Sequence, residues 1–220
     1  MNRKQEPPDS TTGALPGDNL SFEDRQGKAY DNLLPIYEAR HEGCQDIRRT
    51  VLGQVLAGLN NDATVLDVGC GAGAYLALMV QRGLKAEGVD LSESMAKAAR
   101  ERSGAVVTVG DFVKMNFERQ FDLVFSQAFV HLFPKKDVLR VVEKMKGLAK
   151  KRVYFSTSLR TAPGEGWEEK DGIQRYRSRY TRAEFIELIH IASMDHWTAK
   201  SFELVDPEGK QWLQVTLDRA

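Results

Sequence analysis

A chain of 220 residues has room for one sizeable α/β core, and its 31 basic and 31 acidic side chains cancel, so no net field gathers nucleic acid or an anionic membrane from a distance. Only Cys44 and Cys70 are present, and no apolar run approaches the roughly 20 residues a bilayer-spanning helix needs. The expectation is a cytoplasmic protein with reduced thiols that recognises its partners locally.

Residues 1–20 are Pro, Gly, Ser, Thr and charge without an apolar stretch, which reads as a disordered tail and neither a signal peptide nor an anchor. One domain is expected over residues 21–220. Between Phe22 and Leu59, the residues Leu33, Leu34, Ile36, Ile47, Val51, Val55 and Leu56 recur at helical spacing with breaks at Pro35 and Gly43, giving two helices within residues 21–60. Ala63 to Val68 is a short apolar strand ending at glycine, and Ala74 to Arg82 a helix. The unit repeats: Ala86 to Asp90 is a strand, Ser92 an N-cap, and Met95, Ala98 and Ala99 the apolar side of a helix. Val106 to Val109, Phe121 to Ser126 and Arg152 to Ser158 supply further strands, with a helix from Lys135 to Leu148. Strand–helix alternation with mostly apolar strands predicts a doubly wound, Rossmann-like parallel sheet covered by helices on both faces. Residues 159–180 are rich in Gly, Glu and Arg without a clear period and read as a substrate loop or lid. A helix follows from about Arg182 to Ala192, and Thr198 to Val205 and Gln211 to Leu217 flank the turn Asp206-Pro207-Glu208-Gly209 as an antiparallel hairpin.

The chemistry concentrates after the first strand, in Val65-Leu66-Asp67-Val68-Gly69-Cys70-Gly71-Ala72-Gly73. Glycines here let the backbone turn tightly and approach a ligand at a helix N-terminus. Taken alone, the loop also satisfies a loose dinucleotide fingerprint with Asp90 as the ribose acid, so an NAD(P)-dependent oxidoreductase is the alternative. Three features oppose it. Asp67 stands two residues before the first glycine, where it repels a pyrophosphate and attracts a cationic amino acid. Gly110-Asp111-Phe112 adds a carboxylate and an aromatic after the third strand, as an adenine would require. No Tyr-x-x-x-Lys pair is present, and too few residues remain for a hydride-transfer domain.

The runs VLDVGCGAG, GVDLSESM, GDF and FDLVFS together resemble the class I S-adenosylmethionine-dependent methyltransferases, over about residues 28 to 217. The resemblance implies a seven-stranded sheet whose last strand alone is antiparallel. It also implies that Asp67, Gly69, Cys70, Gly71 and Gly73 line the methionine half of the cofactor, and that Asp90 accepts from the ribose hydroxyls. Leu91 and Met95 would pack near adenine, with Gly110, Asp111 and Phe112 at its edge. Ser126, Gln127 and Ala128 would border the methyl group, and Tyr30, Tyr37 and Arg40 are the matching cap residues. His131, just beyond the fourth strand, is the candidate general base, with a capping or packing histidine as the plainer role.

Relatives acting on DNA bases or on protein glutamine carry an Asn/Asp-Pro-Pro-Tyr/Phe tetrapeptide where this chain has Ser126-Gln127-Ala128-Phe129, which points away from those substrates. Arg175, Arg177 and Arg179 alternate in the 159–180 segment and could grip a carboxylate or phosphate of a small-molecule acceptor; surface charge is the plainer reading. No residue cluster supports a metal site, and nucleic acid is not favoured as a partner. A non-catalytic module that keeps the fold for binding is the remaining alternative.

Overall fold

The computed structural model describes residues 20–41 and 44–220. The tail read at residues 1–20 lies, but for Leu20, outside the described residues, as does Gly43. The first helix, α1 (Phe22–His41), runs through Pro35 without ending there. Proline removes the N–H that would bond the carbonyl of Asp31, and the Ser94 hydroxyl donates to that carbonyl instead, at 3.3 Å. Helix α2 (Gln45–Val55) buries Val51, Leu52 and Val55.

Seven strands make the central sheet: β1 (Thr64–Val68), β2 (Lys85–Asp90), β3 (Val107–Val109), β4 (Phe121–Ser126), β5 (Ala149–Ser158), β8 (Trp197–Val205) and β9 (Gln211–Arg219). Their order is β3-β2-β1-β4-β5-β9-β8, and β9 alone runs against its neighbours. Helices α3 (Ala74–Gln81), α4 (Glu93–Ser103), α5 (Lys135–Leu148) and α6 (Arg182–Ala192) connect them. Successive side chains on a strand face opposite ways, and β1 shows the consequence. Val65 packs with α2 residues and Met79 of α3, whereas Leu66 and Val68 join Val138 and Val142 of α5 and Phe185 of α6.

Residues 159–180 depart from the expectation of a loop. They form a two-stranded antiparallel hairpin, β6 (Gly164–Lys170) and β7 (Ile173–Arg179), turning at Asp171-Gly172 with φ of 57° and 75°. Asp-Gly with both residues at positive φ is the turn that two-residue hairpins favour, so the signal was in the sequence. Polar strands without β-branched alternation concealed it. The hairpin packs against α1 over the point where the chain leaves β1 and β4 in opposite directions, the place where open α/β sheets form a crevice.

Candidate functional site

A cavity of about 360 Å3 opens at the carboxyl ends of β1, β2 and β4, beneath α1 and the hairpin. Its floor is the glycine loop. Gly69 and Cys70 both donate their N–H to the Val89 carbonyl, at 2.8 and 3.1 Å, folding the loop back over β2. Gly69 has φ of 66°, and a Cβ there would fall 2.3 Å from the Phe129 ring. Gly73 acts away from the ligand space. A Cβ on it would lie 2.7 Å from Ala99 Cα, so it lets α3 and α4 meet, and it does not line the cavity. Gly73, expected at the cofactor, thus stands between the lining residues Ala72 and Ala74 and packs against Ala99. Cys70 lines the cavity, but its thiol lies beside Gly88 with its pKa pushed up by burial.

Two acids stand over this floor. Asp90 accepts from Gly71 N at 2.8 Å and Ser92 N at 2.9 Å, yet burial still pushes its pKa up to about 6. Asp67 is 2% exposed, and its Oδ2 has no hydrogen-bond partner among the described residues. Burial first, and then the neighbouring charge of Asp90, push its pKa up to about 8. Further along, Gly110, Asp111 and Phe112 line the wall with Leu91 and Met95. Asp111 accepts from Val113 N at 2.8 Å, which fixes its carboxylate in a tight turn, and the Phe112 ring is buried against Phe117 and Phe129.

At the end of β4 the structure brings in Gln127 and Ala128 but not Ser126. Ser126 is fully buried, with its hydroxyl donating to the Val68 carbonyl at 3.1 Å, because strand alternation turns it away from the crevice. Ala128 takes a left-handed φ of 59°, its N–H held by the Ser156 hydroxyl at 3.0 Å. Tyr154 OH contacts both Gln127 and Gln214 at their amide ends. A phenol has one proton, so one of these glutamines presents its NH2 group to Tyr154.

Tyr30 and Tyr37 of α1 line the cavity with ring centroids 6.0 Å apart, whereas the Arg40 side chain lies outside the described residues. His131 is 3% exposed, in a short 3-10 turn over Val130–Leu132. Its Nε2 is 2.8 Å from Arg177 Nη2, and its Nδ1 is 3.3 Å from Thr157 Oγ1. A guanidinium only donates, so Nε2 is the acceptor and the ring is neutral, its proton on Nδ1 toward Thr157. Burial, reinforced by the charges of Arg177, Arg175 and Arg160, lowers its pKa well below the usual value. The lone pair that a general base needs is already engaged.

Of the three alternating arginines, Arg175 and Arg177 line the cavity and Arg179 does not. Arg179 sits farther along β7 with its side chain 43% exposed, and it bonds Glu168 at 3.2 Å.

Several lining residues escaped the sequence reading. Gln26 is 4% exposed and caps the free edge of β7 as a peptide group would, accepting from Tyr176 N at 2.9 Å and donating to the Tyr176 carbonyl at 3.2 Å. Trp212 and Gln214 come from β9, opposite Ser158 and Ser156 of β5. Asp206, Tyr75 and Phe129 also line the cavity. Trp212 and Gln214 share a face by the two-residue strand period, a signal that gains meaning only once β9 is known to lie beside β5. Among the described residues, no group of three or more His, Cys, Asp or Glu is placed to hold a metal ion, and no helix is long and apolar enough to cross a membrane.

Comparison with known proteins gives consistent matches. Residues 65–152 match the model of a methyltransferase domain family. Malonyl-acyl-carrier-protein O-methyltransferase of Priestia megaterium is 27% identical over 112 residues, which are 48% of this chain and 41% of that one. The chain spans about half the length of the curated relatives it matches. Magnesium protoporphyrin IX methyltransferase from Synechocystis PCC 6803, solved with bound S-adenosylmethionine, superposes with a TM-score of 0.72 at 14% identity, covering 96% of this chain and 100% of that one. The 1,6-didemethyltoxoflavin N1-methyltransferase of Burkholderia thailandensis gives 0.66 at 20% identity, covering 92% of each. At these identities the structural likeness is one of fold.

Proposed function

We propose that this chain is a class I S-adenosylmethionine-dependent methyltransferase, a reading that its matched domain supports, and that it methylates an oxygen or nitrogen nucleophile on a small molecule. The carrying observation is Asp67 Oδ2, a buried carboxylate oxygen on the floor of the cavity that has no hydrogen-bond partner among the described residues. Such a group calls for a ligand that brings positive charge, and the same acid would repel a dinucleotide's pyrophosphate. S-adenosylmethionine supplies a methyl group on a cationic sulfur, together with an ammonium.

In this reading Asp67 takes the ammonium end, with the backbone of Gly69, Cys70 and Gly71 beside it. Asp90 accepts from the ribose hydroxyls. Leu91, Met95, Gly110, Asp111 and Phe112 enclose the adenine, and Gln127 and Ala128 border the site of transfer. Tyr30, Tyr37 and the β6–β7 hairpin cover the cavity, excluding water and holding the acceptor in line. In-line displacement depends on alignment more than on a base. His131 is accordingly assigned to orienting Arg177, since Arg177 occupies its accepting nitrogen. The matched relatives carry names for O- and N1-methylation, which supports keeping both acceptor atoms.

Thermal unfolding with the cofactor or its demethylated product tests the reading. Ligand at a hundred times its Kd should add about 2.7 kcal/mol of stability. Absence of stabilisation by either ligand would sink it.

A further inference from the structure

We infer that the methyl acceptor is an anion, with a carboxylate or phosphoryl oxyanion seated between the guanidinium groups of Arg175 and Arg177 at the hairpin side of the cavity. The inference rests on the methyl-transfer reading and adds the chemical class of the acceptor.

Arg175 is 2% exposed, it lines the cavity, and its Nε has no hydrogen-bond partner among the described residues. A guanidinium removed this far from water is costly unless an anion meets it. Within the protein, the described carboxylate that approaches all three arginines is Glu168. It is 3.8 Å from Arg175 Nη2 and 3.9 Å from Arg177 Nε, beyond hydrogen-bond range, and its bond at 3.2 Å goes to Arg179. One negative charge is thus shared among three positive ones, and its best contact serves the arginine outside the cavity.

Arg177 Nη2 points at His131 Nε2, at 2.8 Å, and more distantly at Ser158 Oγ, at 3.4 Å. Both are neutral acceptors that aim the guanidinium without cancelling its charge. Acids at the far rim are committed elsewhere: Asp206 accepts from Trp212 Nε1 and from the backbone N–H of Glu208 and Lys210, each at 2.9 Å, and Glu208 pairs with Lys210. An oxyanion offers two or more acceptor atoms to donors arranged as a fork, which is the geometry guanidinium groups recognise best.

The test measures binding of inorganic phosphate, benzoate and neutral benzamide to the protein saturated with S-adenosylhomocysteine, by isothermal titration. Phosphate or benzoate should bind saturably, and the tighter of the two names the oxyanion. Benzamide should bind about tenfold or more weakly, and R175Q and R177Q should each weaken the anion by a similar factor. If those variants do not fold, E168Q keeps both arginines, removes their shared counter-charge, and should tighten the anion roughly threefold or more. No anion binding by a complex that still holds S-adenosylhomocysteine overturns the inference and leaves methyl transfer standing. Competition between anion and S-adenosylhomocysteine also overturns it, by assigning the arginines to the cofactor's own carboxylate. Failure to bind S-adenosylhomocysteine at all removes the underlying reading and the inference with it.

Discussion

Asp67 gives the sharpest test, because its titration and its proposed role pull in opposite directions. With a pKa pushed up to about 8, it is protonated in roughly 99 of 100 ligand-free molecules at pH 6. Its folded pKa lies above the unfolded value, so its contribution to stability is fully present below about pH 4 and is lost as pH rises through about 8. A cationic ligand reverses this preference by favouring the carboxylate. Binding must then expel a proton, so affinity for S-adenosylmethionine should rise with pH, approaching tenfold per unit well below pH 8 and about fiftyfold from pH 6 to pH 8 on account of Asp67. The gain should level off near pH 8, where the ligand's own α-amino group begins to lose its proton. Below pH 6 the slope should steepen as Asp90, with its pKa near 6, also needs to be ionised. Asp67→Asn should flatten the profile between pH 6 and 8 and weaken binding at pH 8 by about 1.5–3 kcal/mol, the worth of a hydrogen bond to a charged group. Isothermal titration at pH 7 in two buffers of different ionisation enthalpy should find close to one proton released in the wild type and almost none in the variant. A pH-independent affinity in the wild type, or an unchanged slope in Asp67→Asn, would refute the placement of Asp67 against the ammonium.

Asp90→Ala removes the acceptor proposed for the ribose and should weaken cofactor binding by about 1.5–3 kcal/mol, removing half or more of the stabilisation seen at a hundred times the wild-type Kd; a shift of wild-type size would count against that assignment. His131, its pKa lowered by burial and by neighbouring arginines, should show ring proton resonances that do not titrate between pH 8 and 6, and a midpoint near 6.5 in NMR would contradict the bond from Arg177. Gly73→Ala forces a Cβ against Ala99 at a φ of 77° and should cost about 2 kcal/mol or more in urea denaturation; an unchanged midpoint would show that α3 and α4 are not locked there. Gln26→Ala strips partners from both backbone groups of Tyr176, so α1 should become more susceptible to limited proteolysis and cofactor binding should weaken. Equal cleavage rates in the variant and the wild type would deny α1 its anchor.

Local chain chemistry determined most of the scaffold and the floor of the cavity. Apolar strands alternating with helical periods require a parallel sheet, the Asp206 to Gly209 turn forces the last strand to reverse, and Asp67, Asp90 and the glycine loop are legible because each lies at a strand end a fixed number of residues from the next. Glycine has two uses that read alike in a sequence. Only packing separated Gly71, which faces the cavity, from Gly73, which is claimed by Ala99. In the same way, strand parity turned Ser126 inward.

The hairpin side of the cavity was decided by tertiary structure. His131 reads as a base until β7 brings Arg177 to its free nitrogen from 46 positions away, and Gln26 has no visible purpose until a hairpin edge 150 positions distant arrives beside it. Arg175 looks like surface charge until α1 and the hairpin bury it beside Glu168. The physical reason is common to all three. Backbone conformation follows from neighbours along the chain, whereas the protonation of an imidazole, the need of a guanidinium for a partner and the edge of a strand depend on burial and on groups that only folding brings together.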